Sequence, residues 1–342
     1  MNRYHRQILL AQISEEGQRK LASSLVLLVG CGALGTVIAE QLVRAGVGTI
    51  RLCDRDVVEE TNLQRQTLFT ERDALEGVPK AIAAASRLGA INSQVRIEPH
   101  VADVYSGSIE PLVGGDGRVN LIIDGTDNVE TRYLLNDATV KFDVPWVYGA
   151  CVGTTGRAMG IVPGKTPCLR CLFPEPPGPG ELQTCDTAGV LAAAAGIAAS
   201  LEVVEAMKIL LGDAEAGKTL VTFDVWPTHF RAISTNGSRR DDCPTCGLRR
   251  FEFLDARSRA TSLCGRNTVQ IRPANGETKI DLAAAAKRLS AVGSIEQSPH
   301  VLRFKPSNGD HSLTLFPDGR ALVHGTSDLA AARSAYAKFI GS

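Results

Sequence analysis

Residues 25–54 carry the pattern that most narrows the fold. LVLLVG, a short apolar run, leads into Gly30-Cys31-Gly32-Ala33-Leu34-Gly35, and TVIAEQLVRAG follows with the apolar spacing of a helix. A second apolar run, TIRLCD, ends in Asp54. Strand, glycine turn, helix and a second strand make one βαβ unit, and such units build parallel sheets covered by helices on both faces. The glycines Gly30, Gly32 and Gly35 allow a phosphate to approach the helix N-terminus, and an acid at the position of Asp54 usually meets a ribose hydroxyl.

The alternation continues. A helix-like stretch at about residues 79–91 precedes VRIEPHV, NLIIDGTDN ends in a polar cluster at residues 124–128, and VPWVYGAC reads as another strand. The expected fold is α/β and Rossmann-like, a mostly parallel sheet with helices on both faces. Ligands belong at the carboxyl ends of its strands, where Asp54 and Asp127 would sit. PEPPGPGE, residues 174–181, is expected as a loop, because proline lacks a donor and glycine resists ordering. Residues 188–211, rich in alanine and almost free of charge, predict one helix buried on several sides or packed against another subunit, with Gly196 suited to close contact.

After Cys246 the character changes to strand-like runs (NTVQIRP, HVLRFKP, SLTLFP, RALVHG) and two amphipathic helices, the pattern of a small C-terminal α+β domain. The expected organisation is a large nucleotide-binding domain over 1–250, a linker over 251–261 and an accessory domain over 262–342. Lysine plus arginine equal aspartate plus glutamate at 37 each, so no net field draws the chain to nucleic acid. No stretch approaches the roughly 20 apolar residues of a membrane span, and the first residues lack a signal-peptide pattern, so a cytoplasmic protein is expected.

The glycine turn alone suits an NAD-dependent oxidoreductase equally well. The segment DRDVVEETNLQRQ, however, packs Asp54, Asp56, Asn62, Arg65 and Gln66 closely together, and Lys80 follows. Arginine and lysine can neutralise triphosphate oxygens and the charge developing on a leaving pyrophosphate, while asparagine can hydrogen-bond phosphate or ribose. A solvated surface loop would have a similar composition. Four of the nine cysteines form two CxxC pairs, Cys168/Cys171 and Cys243/Cys246, able to complete a four-cysteine zinc site. The gap between them, residues 172–242, exceeds ordinary zinc-ribbon spacing, and redox dithiols or coincidence are the alternatives. Cys185 stands alone before the alanine-rich helix, either a thiol activated near a helix N-terminus or a small buried hydrophobe.

In combination, RYHRQI, GCGALG, the aspartate followed by NLQRQ, a later lysine, GTDN, CLRC, the cysteine before AGV, and CPTCG closely resemble the ThiF/MoeB/HesA family, bacterial relatives of the ubiquitin-activating enzymes. The resemblance covers residues 3–250. It implies that Gly32 and Gly35 approach ATP, that Asp54 holds the ribose, that Asn62, Arg65, Gln66 and Lys80 surround the phosphates, and that Asp127 binds Mg²⁺. It further implies a homodimer in which Arg6 reaches the nucleotide of the other subunit. The implied reaction is adenylation of the C-terminal glycine carboxylate of a ubiquitin-like sulfur carrier ending in Gly-Gly, of thiamine or molybdopterin type. Cys185 then matches a cysteine that some family members use for covalent transfer. No rhodanese module is evident, so an external sulfur donor is implied. A non-enzymatic scaffold that docks the same partner is a further reading, against which the Arg65, Lys80 and Asp127 set argues.

Overall fold

The computed structural model describes residues 3–178, 185–255, 260–263, 267–271, 280–309 and 311–341. The chain divides into two compact units, Met1–Ala256 and Arg257–Ser342.

The first unit is built on an eight-stranded sheet in the order β3-β2-β1-β4-β5-β6-β7-β8. Its strands are β1 Leu25–Val29, β2 Thr49–Asp54, β3 Arg96–Val101, β4 Leu121–Asp124, β5 Trp146–Val152, β6 Thr155–Ile161, β7 Thr219–Val225 and β8 Thr228–Ser234. The pairs among β1 to β5 are parallel, and β5 to β8 continue as an antiparallel meander. The apolar run of β1 is explained by burial on both faces. Leu34, Ile38 and Leu42 of helix Ala33–Ala45, Ala84 and Leu88 of helix Lys80–Ile91, and Ala198 and Val203 of helix Ala192–Leu211 cover one face. Ile109, Tyr133 and Leu135, from helices Ile109–Gly114 and Val129–Phe142, cover the other. The chain leaves β1 toward β2 on one side and returns to β4 on the other. That reversal opens a crevice between the carboxyl ends of β1 and β4.

Two sequence expectations need correction here. The helix predicted over 188–211 is interrupted: Cys185–Ala188 is a separate turn, Gly189 adopts a φ of +75°, Val190 pairs with Gly153, and the long helix starts at Ala192. Alanine-rich composition cannot reveal that break, because the competing bonds come from a distant turn. Gly196 is also not where the helix packs closely, since a methyl added there meets nothing within 4 Å. Ala194, Ala195, Ala198 and Ala199 make the buried face instead.

Residues 251–255, expected to begin a linker, carry helix Glu252–Asp255, and Phe253 N–H donates to Asp137 Oδ2 at 2.9 Å within the first unit. The second unit is a six-stranded antiparallel sheet, ordered β11-β12-β13-β14-β10-β9. Its strands are β9 Ala260–Leu263, β10 Thr268–Ile271, β11 Gly293–Gln297, β12 Leu302–Pro306, β13 Ser312–Leu315 and β14 Ala321–His324. Helices Leu282–Leu289 and Leu329–Phe339 pack Leu289, Ala332 and Tyr336 against Val269, Phe304 and Leu313. Their N-caps, Asp281 and Asp328, accept from backbone N–H groups of the first turn, which fixes where each helix starts. Among the described residues no helix is long and apolar enough to cross a membrane.

Candidate active site

The three glycines of the turn serve different ends. Gly30 has a φ of +90°, and a Cβ there would lie 2.7 Å from the Gly125 carbonyl oxygen. A Cβ on Gly35 would overlap the Gly30 carbonyl, so helix Ala33–Ala45 can start against the turn only with glycine at that place. Gly32 is under no such constraint: a Cβ there would meet nothing nearer than the Gln66 amide nitrogen and the Gly125 carbonyl, both 3.9 Å away. What glycine keeps clear at Gly32 is open space above the crevice.

Asp54 ends β2 beneath this turn, buried, and its carboxylate accepts from the N–H of Cys31 at 2.6 Å and of Asp56 at 2.7 Å. Burial raises its pKa, Lys80 pulls it back, and neighbouring Asp56 pushes it up again. Asp54 therefore braces the turn from beneath. The Cys31 thiol is buried, and burial and the charge of Asp54 both keep it protonated and inert.

Backbone pairing assembles the polyphosphate segment. Val57 bridges Pro79, Lys80 N–H donates to the Asp56 carbonyl at 2.9 Å, and the buried Lys80 ammonium lies 3.4 Å from Asp56 Oδ2. Asn62 is buried at the end of the turn Glu60–Asn62, with Oδ1 accepting from Glu59 N–H at 3.1 Å. Arg65, half-buried, donates to the Thr61 carbonyl at 2.8 Å. Gln66 is buried, and its Oε1 has no hydrogen-bond partner. Its amide nitrogen is the side-chain atom nearest the space that a Cβ on Gly32 would enter, so Gln66 presents a donor there.

Across the crevice, Asp127 is exposed in the loop that joins β4 to helix Val129–Phe142, whose N-cap Asn128 accepts from Thr131 N–H. This loop is held by a pair that sequence reading missed. Asp124 is fully buried, Arg132 Nε donates to its Oδ2 at 3.0 Å, and Thr126 donates twice to its Oδ1. Arg132 also donates to the Thr126 carbonyl at 2.7 Å and stacks over Tyr148. Burial opposes the charge of Arg132, but Asp124 outweighs it and holds the guanidinium pKa above its ordinary value. The available signal was an arginine one helical turn beyond an N-cap asparagine. Glu202, on helix Ala192–Leu211, was also missed: it lies fully buried against Gly149 with both carboxylate oxygens unpartnered.

Arg6 is not brought to this site within one chain. Tyr4 packs on Gly46, and Gln7 donates to the Ala45 carbonyl at 2.9 Å, which docks helix His5–Ile8 at the C-terminal end of helix Ala33–Ala45. That helix spans 13 residues, so exposed Arg6 is anchored about 20 Å from its own glycine turn.

The four paired cysteines do converge. Their sulfurs lie within 4.8 Å of one another, with Cys168 to Cys243 at 3.6 Å, Cys168 to Cys171 at 3.9 Å and Cys171 to Cys246 at 3.3 Å. A tetrahedral zinc with bonds of about 2.3 Å needs sulfurs about 3.8 Å apart, so the set fits zinc. Asn136 and Asp137 brace the two knuckles: Asn136 Oδ1 accepts from Leu169 N–H at 2.8 Å, and Asp137 Oδ1 accepts from the Thr245 hydroxyl at 2.8 Å. Burial pushes the Asp137 carboxyl up to about 6. Cys185 opens the turn Cys185–Ala188, which packs on β5; its side chain, residues 179–181 of the predicted loop and residues 182–184 lie outside the described residues.

A family profile described as the ThiF family matches residues 4–245. The chain belongs to the ThiF family. A relative in Bacillus subtilis (strain 168), the sulfur carrier protein ThiS adenylyltransferase, is 44% identical over 342 residues, covering 99% of each chain. The sulfur carrier protein adenylyltransferase of Thermus thermophilus is 40% identical over 255 residues, 72% of this chain and 91% of that one. The crystal structure of Escherichia coli MccB with succinimide shares the fold, with a TM-score of 0.61 at 22% identity over 72% of this chain and 75% of that one.

Proposed function

We propose that this ThiF-family protein is an adenylyltransferase that uses ATP to activate the C-terminal glycine carboxylate of a ubiquitin-like sulfur carrier. The observation that carries the proposal is the near full-length relation to a ThiS adenylyltransferase, and it is supported by a glycine turn that leaves space at Gly32 beside Gln66 and by a buried Lys80 whose charge acts on Asp54 beneath that turn. The oxidoreductase reading is set aside by family membership.

The reaction joins the carrier carboxylate to the ATP α-phosphate and releases pyrophosphate. A carboxylate is ionised at neutral pH, so no general base is required and catalysis consists of positioning and charge neutralisation. Asp54 supports the turn and can hold the ribose; Lys80 and Arg65 offset phosphate charge; Asn62 and Gln66 supply amide hydrogen bonds. Asp127 is the candidate carboxylate for Mg²⁺, which would offset triphosphate charge when bound. Arg6, anchored far from its own crevice, is proposed to serve the crevice of a second copy in a homodimer. The four cysteines are proposed to hold a structural zinc. Cys185 is proposed to act in a later covalent step, either attacking the acyl-adenylate to form a thioester with release of AMP, or receiving sulfane sulfur from an external persulfide donor, whose thiol leaves.

The test is ATP–pyrophosphate exchange in the presence of Mg²⁺ and a ubiquitin-fold carrier ending in Gly-Gly. Carrier-dependent exchange is expected, and a carrier lacking the final glycine should abolish it. A folded protein that binds the carrier but catalyses no exchange would instead be a docking scaffold.

A further inference from the structure

The β7–β8 turn presents Trp226 to solvent at 77% exposure. Such an area of aromatic surface is costly to leave in water and is the usual material of a binding hot spot. The fold decides where it points. β6 runs antiparallel to both β5 and β7, so β7 is parallel to β5 and ends on the same edge of the sheet as Asp54 and Asp124. The turn is pinned to that edge: Asp224 Oδ1 accepts from Trp226 N–H at 2.9 Å and from the Thr154 hydroxyl at 2.8 Å, and Val225 N–H donates to the Thr154 carbonyl at 3.0 Å. The adjoining β5–β6 turn is clasped to the segment that follows Cys185, with Gly153 N–H donating to Gly189 and Leu191 N–H donating to Gly153, both at 2.9 Å.

The β5–β6 turn is thus bonded on one side to the segment after Cys185 and on the other to the β7–β8 turn, so a carrier whose tail is activated over the glycine turn and delivered to Cys185 would have the β7–β8 turn within reach of its folded body. That surface is basic as well as aromatic: exposed Arg157 and Arg231 flank Thr222 in one row across β6, β7 and β8, and β8 is exposed along its whole length. We propose that Trp226 is a specificity contact for the globular body of the ubiquitin-like carrier, one with an apolar patch bordered by acidic residues. The inference rests on the adenylation reading above.

The chain has two tryptophans, and Trp146 is fully buried, so Trp226 reports its surroundings almost alone in acrylamide quenching. Titration with a tryptophan-free ubiquitin-fold carrier ending in Gly-Gly is expected to shift emission to the blue and to protect against acrylamide, saturably. A short peptide copying only the carrier tail is expected to change neither. Trp226→Ala is expected to raise the carrier KM in the exchange assay by about tenfold or more, with the ATP KM and the rate at saturating carrier unchanged. Unchanged emission together with an unchanged carrier KM overturns the inference while leaving adenylation intact. A response to the tail peptide, or one that depends on protein concentration without carrier, overturns it in favour of a tail contact or a subunit contact. Absence of carrier-dependent exchange in the wild type removes the adenylation reading itself.

Discussion

Two glycines of one motif should fail in opposite ways when given a methyl group. In Gly35→Ala the new Cβ overlaps the Gly30 carbonyl oxygen, a backbone atom that no rotamer change can move aside. Overpacking of this kind costs about 1–3 kcal/mol, offset by roughly 1 kcal/mol of helix propensity gained on replacing glycine with alanine. The net loss, up to about 2 kcal/mol, corresponds to a fall in Tm of up to roughly 8 °C for a unit of this size. In Gly32→Ala the Cβ has no neighbour nearer than 3.9 Å, so only the small N-cap difference, under about 1 kcal/mol, opposes folding. Its methyl instead stands in the space left for the nucleotide, and the ATP KM should rise about tenfold or more, equivalent to about 1.4 kcal/mol. Thermal melts and ATP–pyrophosphate exchange on both variants supply the comparison. Equal destabilisation by the two, or an unaltered ATP KM in a folded Gly32→Ala, would refute the division of labour argued from these contacts.

Mixing inactive Arg6→Ala protein with inactive Lys80→Ala protein should restore part of the exchange activity through hybrid dimers, and no recovery despite demonstrated subunit exchange would argue against a shared site. Elemental analysis should find one zinc per chain, and Cys243→Ser should lower Tm while leaving measurable exchange at low temperature, because a closed thiolate site couples metal to folding. Cys185→Ala should keep exchange nearly intact yet lose the reductant-sensitive carrier adduct or sulfur delivery; equal sulfur transfer by both proteins would leave Cys185 a packing residue. Burial first, and then the charge of Asp124, raise the Glu202 pKa well above the usual carboxylate value. The folded state therefore holds that proton more tightly than the unfolded chain, and the associated stability, full at acid pH, is lost as pH rises through the folded pKa. Urea midpoints of wild type should fall relative to Glu202→Gln as pH is raised, and parallel curves would show that Glu202 finds a partner for its charge.

Local patterns carried much of this protein into view. The spacing of Gly30, Gly32 and Gly35, the apolar runs of β1 and β2, and the CxxC knuckles are legible because turn, strand and ligand-pair geometry are set within a few residues. The site's supporting groups were hidden for the complementary reason. Arg132 and Glu202 resemble any helix arginine and glutamate until folding pairs the first with buried Asp124 and buries the second, and the break at Gly189–Leu191 exists only because Gly153 offers competing backbone bonds. Likewise, each cysteine pair announced a ligand by itself, but only the packing of helix Val129–Phe142, through Asn136 and Asp137, brings Cys168 to within 3.6 Å of Cys243 across 75 positions. The sequence by itself determined the βαβ turn and the chemistry of its side chains, since short-range sterics suffice for both. The tertiary structure alone decided that Gln66 and Gly125 border Gly32 and that the Lys80 charge acts on Asp54 beneath the turn, while Arg6 stays at the far end of a helix, because long-range burial and hydrogen bonding set those distances.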